Sequence, residues 1–413
     1  MYDSTIHRKT LARHVCKADF AADRNLYNRA ALEVAIGRAV TLGLNGFSGV
    51  SLRTSTLRGK AVHQLTSLSE SLVLRHITTN IRRVTGVRQD DRQFIVRCMR
   101  KMLSEGTAFR VYKFDIASFY ESVSLKEVFD RLEIDTAFSA QSVLAVRSFF
   151  DRLNAAGIGG LPRGIALSAT LAEYLLRDFD RQMASTKGVW FYARFVDDIV
   201  MITDAREDRS GFKNLTADRL PSGLTFNRKS EIFDFAPYSR NNNAVTEHIF
   251  DYLGYRFSTS LAHRGAGHPN QIWRDVWLDI APAKVRRFKT RVAKSLLAYS
   301  KDTDFELLIS RLRLLTSNFN FIDLKSGARR TSGVYYNYPL VCADRSAALP
   351  ELDRYLLNVI SSPHPKNQLR PAVTSSQRQQ LLNLRFQDGF KNRRFFSFSA
   401  DRLTHLTACW AYA

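Results

Sequence analysis

Phe114-Asp115-Ile116-Ala117-Ser118-Phe119-Tyr120 and, about eighty residues further on, Tyr192-Ala193-Arg194-Phe195-Val196-Asp197-Asp198-Ile199-Val200 are the stretches on which the reading of this chain turns. Each sets carboxylates into a run of β-branched and aromatic residues, where a buried strand has no use for a charge. A lone Asp in such a place is ordinarily a turn residue or half of a paired core charge. One Asp beside an Asp-Asp pair, on strands able to lie next to each other, is a different matter. It offers hard oxygen ligands, and magnesium takes one or two carboxylates together with substrate phosphates. Two such ions can hold the attacking and leaving oxygens of a phosphoryl transfer. Asp115, Asp197 and Asp198 are therefore candidate metal ligands and catalytic residues.

Outward from these segments the chain alternates strand and helix patterns. Val111 to Phe119 reads as a strand ending in a turn, and Trp190 to Ile202 as two apolar runs joined at Val196-Asp197. A hairpin turn without Asn-Gly requires some special backbone geometry. Leu224 to Phe235 and His248 to Phe257 read as further strands. Leu65 to Leu103 has helical apolar spacing, broken at Thr85-Gly86-Val87, and residues 125–156 are again helical. After the turn Leu161-Pro162-Arg163-Gly164, the series Leu167, Leu171, Leu175, Phe179 marks a long amphipathic helix. Past a polar loop from Arg264 to Gln271 the expectation is helical. Ser361 to Gln380, rich in Pro, Ser and Gln, is expected to be a surface loop.

The 413 residues favour two or three packed modules. A formal net charge of +22 favours a polyanionic partner through counterion release. The densest basic stretch surrounds the apolar stripe Val285, Phe288, Val292, Leu296. It includes Lys284, Arg287, Arg291 and Lys294, and reads as a contact to nucleic-acid phosphates. Cys16, Cys98, Cys342 and Cys409 are scattered, against a zinc site or a disulfide framework. With no membrane-length apolar run and no signal pattern, the expectation is a soluble, cytoplasmic protein without a membrane partner.

Taken in order, the segments resemble the palm motifs of reverse transcriptases. Asp115 with Tyr120 resembles the first motif, and Gly160-Leu161-Pro162-Arg163-Gly164 with Ser168 the second. Phe195-Val196-Asp197-Asp198 resembles the third, with Phe where the family has Tyr. Leu224-Thr225-Phe226-Asn227-Arg228-Lys229 resembles the fourth, and Tyr252-Leu253-Gly254-Tyr255 the fifth, the primer grip. The resemblance implies an α+β right-hand polymerase. Residues 1–110 would form an N-terminal extension and fingers, 111–258 a palm with an antiparallel sheet and finger insertions, and 259–413 a helical thumb and C-terminal region. It implies two Mg2+ ions, with Mn2+ as an alternative, on Asp115, Asp197, Asp198 and the Ile116 carbonyl. It also implies a dNTP site made of the Ser118 and Phe119 amides, the sugar gate Tyr120, Arg163, Ser168 and Arg92. Arg75 and Arg97 are alternative finger-side contacts to the triphosphate. Lys229 would stand near the leaving pyrophosphate and Leu253-Gly254 in the primer grip.

No RNase H or endonuclease pattern follows the palm. Leu307 to Phe319, Gly333 to Pro339 and the closing Phe386 to Phe396 segment are similar to bacterial defence-associated reverse transcriptases of the unknown-group and abortive-infection lineage. Among these, the shorter polymerase of the paired type-three systems is the nearest in character. That resemblance implies an antiphage RNA-directed DNA polymerase templated by an associated noncoding RNA, making short or repetitive DNA. A second reverse transcriptase subunit and a higher-order oligomer would be its partners. Template-independent synthesis, priming from Tyr335, Tyr336 or Tyr338, and an inactive RNA-binding scaffold are the alternatives.

Overall fold

The structure, a computed structural model, describes residues 3–57, 59–228, 230–240, 246–265, 268–324, 326–362 and 369–411. The chain forms two compact units, Met1–Ile95 with Ala108–Phe235, and Val96–Thr107 with Ala236–Ala413.

The first unit opens with helices α1 (Arg8–Ala12), α2 (Lys17–Ala22) and α3 (Arg29–Asn45) and an antiparallel hairpin, β1 (Leu52–Leu57) with β2 (Lys60–Leu65). Helix α4 (Leu68–Thr85) starts under the Ser67 side chain and stops at Gly86. Gly86 takes the left-handed conformation in which glycine ends helices at no steric cost. That is the break expected between α4 and α5 (Arg92–Leu103), the helix whose residues divide between the units. There follow β3 (Phe109–Asp115), α6 (Phe119–Ser122), α7 (Leu125–Ile134), α8 (Ala140–Ala155), α9 (Ala166–Ala184), β4 (Val189–Phe195), β5 (Asp198–Thr203), α10 (Arg209–Asp218) and β6 (Glu231–Phe235). The four strands form one antiparallel sheet in the order β4-β5-β3-β6.

Strand alternation divides the work of this sheet. Tyr112 lies opposite Met201, and Phe114 opposite Ile199. All four belong to the buried core shared with Leu72, Ile77, Phe149, Leu171 and Leu175 of α4, α8 and α9. Asp115 is paired with Asp198 one position further along, so both fall on the face turned away from these helices. Burying roughly a dozen large apolar side chains on the helical face fixes the register, because a one-residue slip would swap the two faces.

The second unit holds the sheet β7 (His248–Tyr252), β8 (Tyr255–Thr259) and β11 (Val276–Ile280), in the order β11-β8-β7. A small ribbon pairs β9 (His263–Gly265) with β10 (His268–Trp273). Helices α11 (Pro282–Asp302), α12 (Phe305–Thr316), α13 (Ala348–Ser361), α14 (Ser375–Leu382), α15 (Phe386–Lys391) and α16 (Ala400–Ala408) make up most of the remainder. Several features depart from the expectation, among them the hairpin β1–β2 and the strands β10 and β11. The C-terminal region is not purely helical: β12 (Asn318–Ile322) pairs antiparallel with β13 (Arg329–Gly333) and parallel with β14 (Phe395–Ser397). The Pro/Ser/Gln-rich stretch is also not loop throughout, since Thr374 and Gln377 form a capping box that starts α14.

Two polar groups, one buried and one half-buried, tie segments of the second unit together. Arg274, 1 % exposed, pairs with Glu247 and donates to the carbonyls of Glu105, Thr107 and Ala236. Asp279 accepts from Ser346 and from the Ala347 and Ala348 amides at the start of α13. Among the described residues the cysteines are free, and no helix is long and apolar enough to cross a membrane.

Candidate active site

The site begins with a backbone turn. Phe195 and Asp198 close the β4–β5 ladder, leaving the two residues Val196 and Asp197 as the hairpin loop. Val196 has φ +62°, and it is the one loop residue with a positive φ. Two-residue hairpins of the II′ kind need a positive φ at their first central residue, a place where glycine is usual. Here a β-branched residue occupies it, which supplies the special geometry expected from the sequence. The turn delivers Asp197 beside Asp115, and the Ile116 amide donates to the Asp197 carbonyl at 3.1 Å. Asp198 sits directly opposite Asp115. Three carboxylates thus come from two adjacent strand ends.

Asn227 completes the frame around Asp115. Its amide nitrogen donates to the Asp115 carbonyl at 2.7 Å and its side chain to Asp115 Oδ2 at 3.1 Å. Ala117 donates to the Thr225 carbonyl, and Phe226 stacks on Phe114 with centroids 4.6 Å apart. The Leu224–Arg228 segment therefore runs alongside the first carboxylate. Burial raises the Asp197 carboxyl above its ordinary range, and the Asp115 charge pushes the same way, against the pull of Arg163 and Arg194. Among the described residues no group of three His, Cys, Asp or Glu side chains is arranged to hold a metal ion. The side chains that converge here offer acidic oxygens, the donor type magnesium takes together with water and phosphate.

Tyr120 stands next to this charge. Burial raises its phenol, helped by the carboxylates of Glu173 and Asp197. The Arg163 guanidinium lies over its ring at 5.1 Å and pairs with Glu121 in bidentate fashion, at 2.7 and 3.0 Å. The turn before α9 is fastened at both ends, Leu161 N–H to the Tyr120 carbonyl and His63 N–H to the Arg163 carbonyl. Segments expected to belong to two motifs thus meet at Tyr120.

Other expected residues fall differently. Ser118 has φ +44° at the turn into α6, and Phe119 is buried. Ser168 is fully buried in α9, with no surface to offer a nucleotide. Arg75, one of the finger-side candidates, is instead held by Asp19 at 2.7 and 2.8 Å. Arg92 opens α5, and Arg97 lies further along that helix. Lys229 lies outside the described residues. In the second unit, Leu253 and Gly254 form a hairpin turn with φ +46° and +81°. The basic helix α11 is less open than a free phosphate-facing stripe. Lys284, Arg287, Arg291 and Lys294 are all partly buried. Arg291 lies over the Trp410 ring and Lys294 donates to the Ala411 carbonyl, so the C-terminal segment covers part of the expected face.

Sequence reading missed Asn227 as the partner of Asp115, and it missed Arg194. Glu173 and Asp180 stand seven residues apart in α9, a spacing that puts both on one side of the helix but does not by itself name Arg194 as their partner.

The antiparallel sheet thus brings Asp115, Asp197 and Asp198 together at apposed strand ends. Residues 59–257, just under half of the chain, match the family described as Reverse transcriptase (RNA-dependent DNA polymerase). Over these residues the chain resembles a reverse transcriptase domain. Among solved structures, it is similar to apo telomerase from Candida tropicalis truncated from its C-terminal domain, at 10% identity over 55% of each chain with a TM-score of 0.33. It is also similar to telomerase from Candida tropicalis in complex with a TWJ fragment of telomeric RNA. That match has 12% identity over 50% of this chain and 43% of the other, with a TM-score of 0.32. The chain thus spans about half the length of the structures it matches. No curated protein matches it.

Proposed function

We propose that this protein is an RNA-directed DNA polymerase whose centre is Asp115, Asp197 and Asp198. The observation that carries the proposal is the register placing Asp115 opposite Asp198 with Asp197 in the adjoining turn. Asp115, Asp197, Asp198 and the Ile116 carbonyl would hold two Mg2+ ions. When bound, these neutralise charge on the α-phosphate and acidify the primer 3′-hydroxyl. The protein's own part is to keep acidic oxygens converged there. Tyr120 narrows the space beside them, where a ring under the sugar excludes a 2′-hydroxyl and selects dNTPs. The Ser118 and Phe119 amides and Arg92 face the triphosphate, with Arg163 bracing Tyr120. Lys229 attends the leaving pyrophosphate.

The assignment extends to a right-hand polymerase, with residues 1–110 as fingers, 111–258 as palm and 259–413 as thumb and C-terminal region. Leu253-Gly254 would grip the primer, and α11 would contact the template-product duplex. The role we infer is antiphage defence, copying an associated noncoding RNA into short or repetitive DNA, with a second reverse transcriptase as partner. The excess positive charge supports a polyanionic partner such as RNA.

The test is Asp197→Ala with Asp198→Ala, assayed for dNTP incorporation on a primed RNA template. A loss on the order of a thousandfold is expected with folding and RNA binding intact. Retained incorporation removes the catalytic assignment. Sequencing the RNA and DNA that co-purify with the protein tests the template: one structured RNA and its complement are expected, and a random cellular mixture refutes that part.

A further inference from the structure

Arg194 is a charged residue at an interior strand position, and its side chain is 3 % exposed. It is paired across the ladder with Ile199, so it projects to the helical face, opposite to the face that carries Asp115 and Asp198. There it enters between Glu173 and Asp180, which lie two turns apart on one side of α9. All five of its N–H donors are used. Nε donates to Asp180 at 2.9 Å, and Nη2 to Glu173 at 2.6 Å and to Asp180 at 2.7 Å. Nη1 donates to Glu173 at 3.2 Å and to the Val196 carbonyl at 2.9 Å. Tyr192, two residues earlier on the same face, adds its hydroxyl to Asp180.

The bond to the Val196 carbonyl is the consequential one. A peptide group is planar, so fixing the Val196 oxygen fixes the plane containing the Asp197 nitrogen and Cα. The peptide on the other side of Asp197 is held by the Ile116 amide. Val196 itself occupies a backbone region hostile to β-branched residues, one that persists only where the surroundings enforce it.

We infer that Arg194, clamped by Glu173 and Asp180, is a positioning residue that sets the peptide plane from which Asp197 enters the site. This deepens the polymerase reading and rests on it for its meaning. Four guanidinium bonds anchor the fork to α9, and the fifth reaches back to the strained turn. A lysine keeps the charge but has three donors on a single nitrogen, and cannot reproduce the five bonds that the guanidinium makes from three nitrogens.

The test uses Arg194→Lys in the whole chain, with Glu173→Gln as a milder second variant that serves if the first does not fold. For Arg194→Lys, kcat for dNTP incorporation should fall about a hundredfold with KM for dNTP within about threefold, as for a misplaced reacting group. Amide deuterium uptake should rise in peptides spanning 114–118 and 194–199 and stay unchanged in α9. Glu173→Gln should move the same peptides by less. Uptake equal to wild type at the turn overturns the inference. So does uptake rising throughout α9 and the sheet, since that is general loosening. The exchange measurement needs no catalysis. If Asp197→Ala with Asp198→Ala leaves incorporation intact, the polymerase centre falls, while the exchange data still decide the role of Arg194.

Discussion

Gly160 shows how closely single residues are constrained around Tyr120. Its φ is +64°, and a Cβ there would lie 2.6 Å from the Tyr120 carbonyl oxygen and 2.7 Å from that of Glu121. Both are backbone atoms, which a side-chain shift cannot move out of the way. Gly160→Ala should therefore destabilise the protein by about 1–3 kcal/mol, measured by urea unfolding, and loosen the seat of Tyr120. Tyr120 itself governs the second residue-scale prediction. If Tyr120 is the proposed sugar gate, Tyr120→Ala should raise ribonucleotide incorporation relative to deoxynucleotide incorporation by one to two orders of magnitude, about 1–3 kcal/mol of discrimination. Unchanged sugar preference in a primer-extension assay would take Tyr120 out of the gate role.

At the scale of elements, two hairpin turns solve one problem in different ways. Val196-Asp197 keeps a strained first residue, and Arg194 holds it in place. Leu253-Gly254 has positive φ at both residues, as a I′ turn requires, and leucine is poorly suited to that position. Leu253→Asn should stabilise the second unit by up to about 1 kcal/mol, read as a higher urea midpoint, and a lower midpoint would contradict the strain argument. Strands β3, β4 and β5 and the long helix α9 were legible in the sequence because their apolar periods are regular and their ends carry turn residues. The carboxylate cluster was legible because acids inside apolar runs have few other uses. The sheet β13-β12-β14 was not, since β14 is three residues long and joins β12 from far along the chain. The Arg194 clamp was hidden for a related reason, because it requires knowing that α9 packs on the face of β4 opposite to the acids. On α11 the sequence pattern was sound, but nothing local indicated that Trp410 and Ala411 would take up Arg291 and Lys294.

For the whole molecule, charge and pH set the terms. A net charge of +22 predicts that log affinity for RNA falls linearly with log salt, by about 0.7–0.9 per phosphate contacted, so a flat salt titration would refute a phosphate-driven interaction. Stability should carry its own pH signature from a histidine pair inside the first unit. His14 and His76 face each other at 3.2 Å, with His76 also on the Ser4 carbonyl and Asn80. Burial lowers the His14 imidazole to about 4, and the charges of His76, Arg75, Arg13 and Arg83 act in the same direction. Burial lowers His76 too. Between pH 6.5 and 4 the unfolded chain therefore binds protons that the folded pair refuses, and the pair's contribution to stability falls as the pH drops through that window. Glu70, Glu173, Asp197 and Asp353, all raised by burial, work in the opposite direction at the lower end. The difference between variants isolates the pair. His14→Asn should lose less unfolding free energy than wild type between pH 7 and pH 5, measured by urea denaturation at each pH. Parallel curves for the two proteins would show that the imidazoles accept protons in the folded state as readily as in the unfolded one.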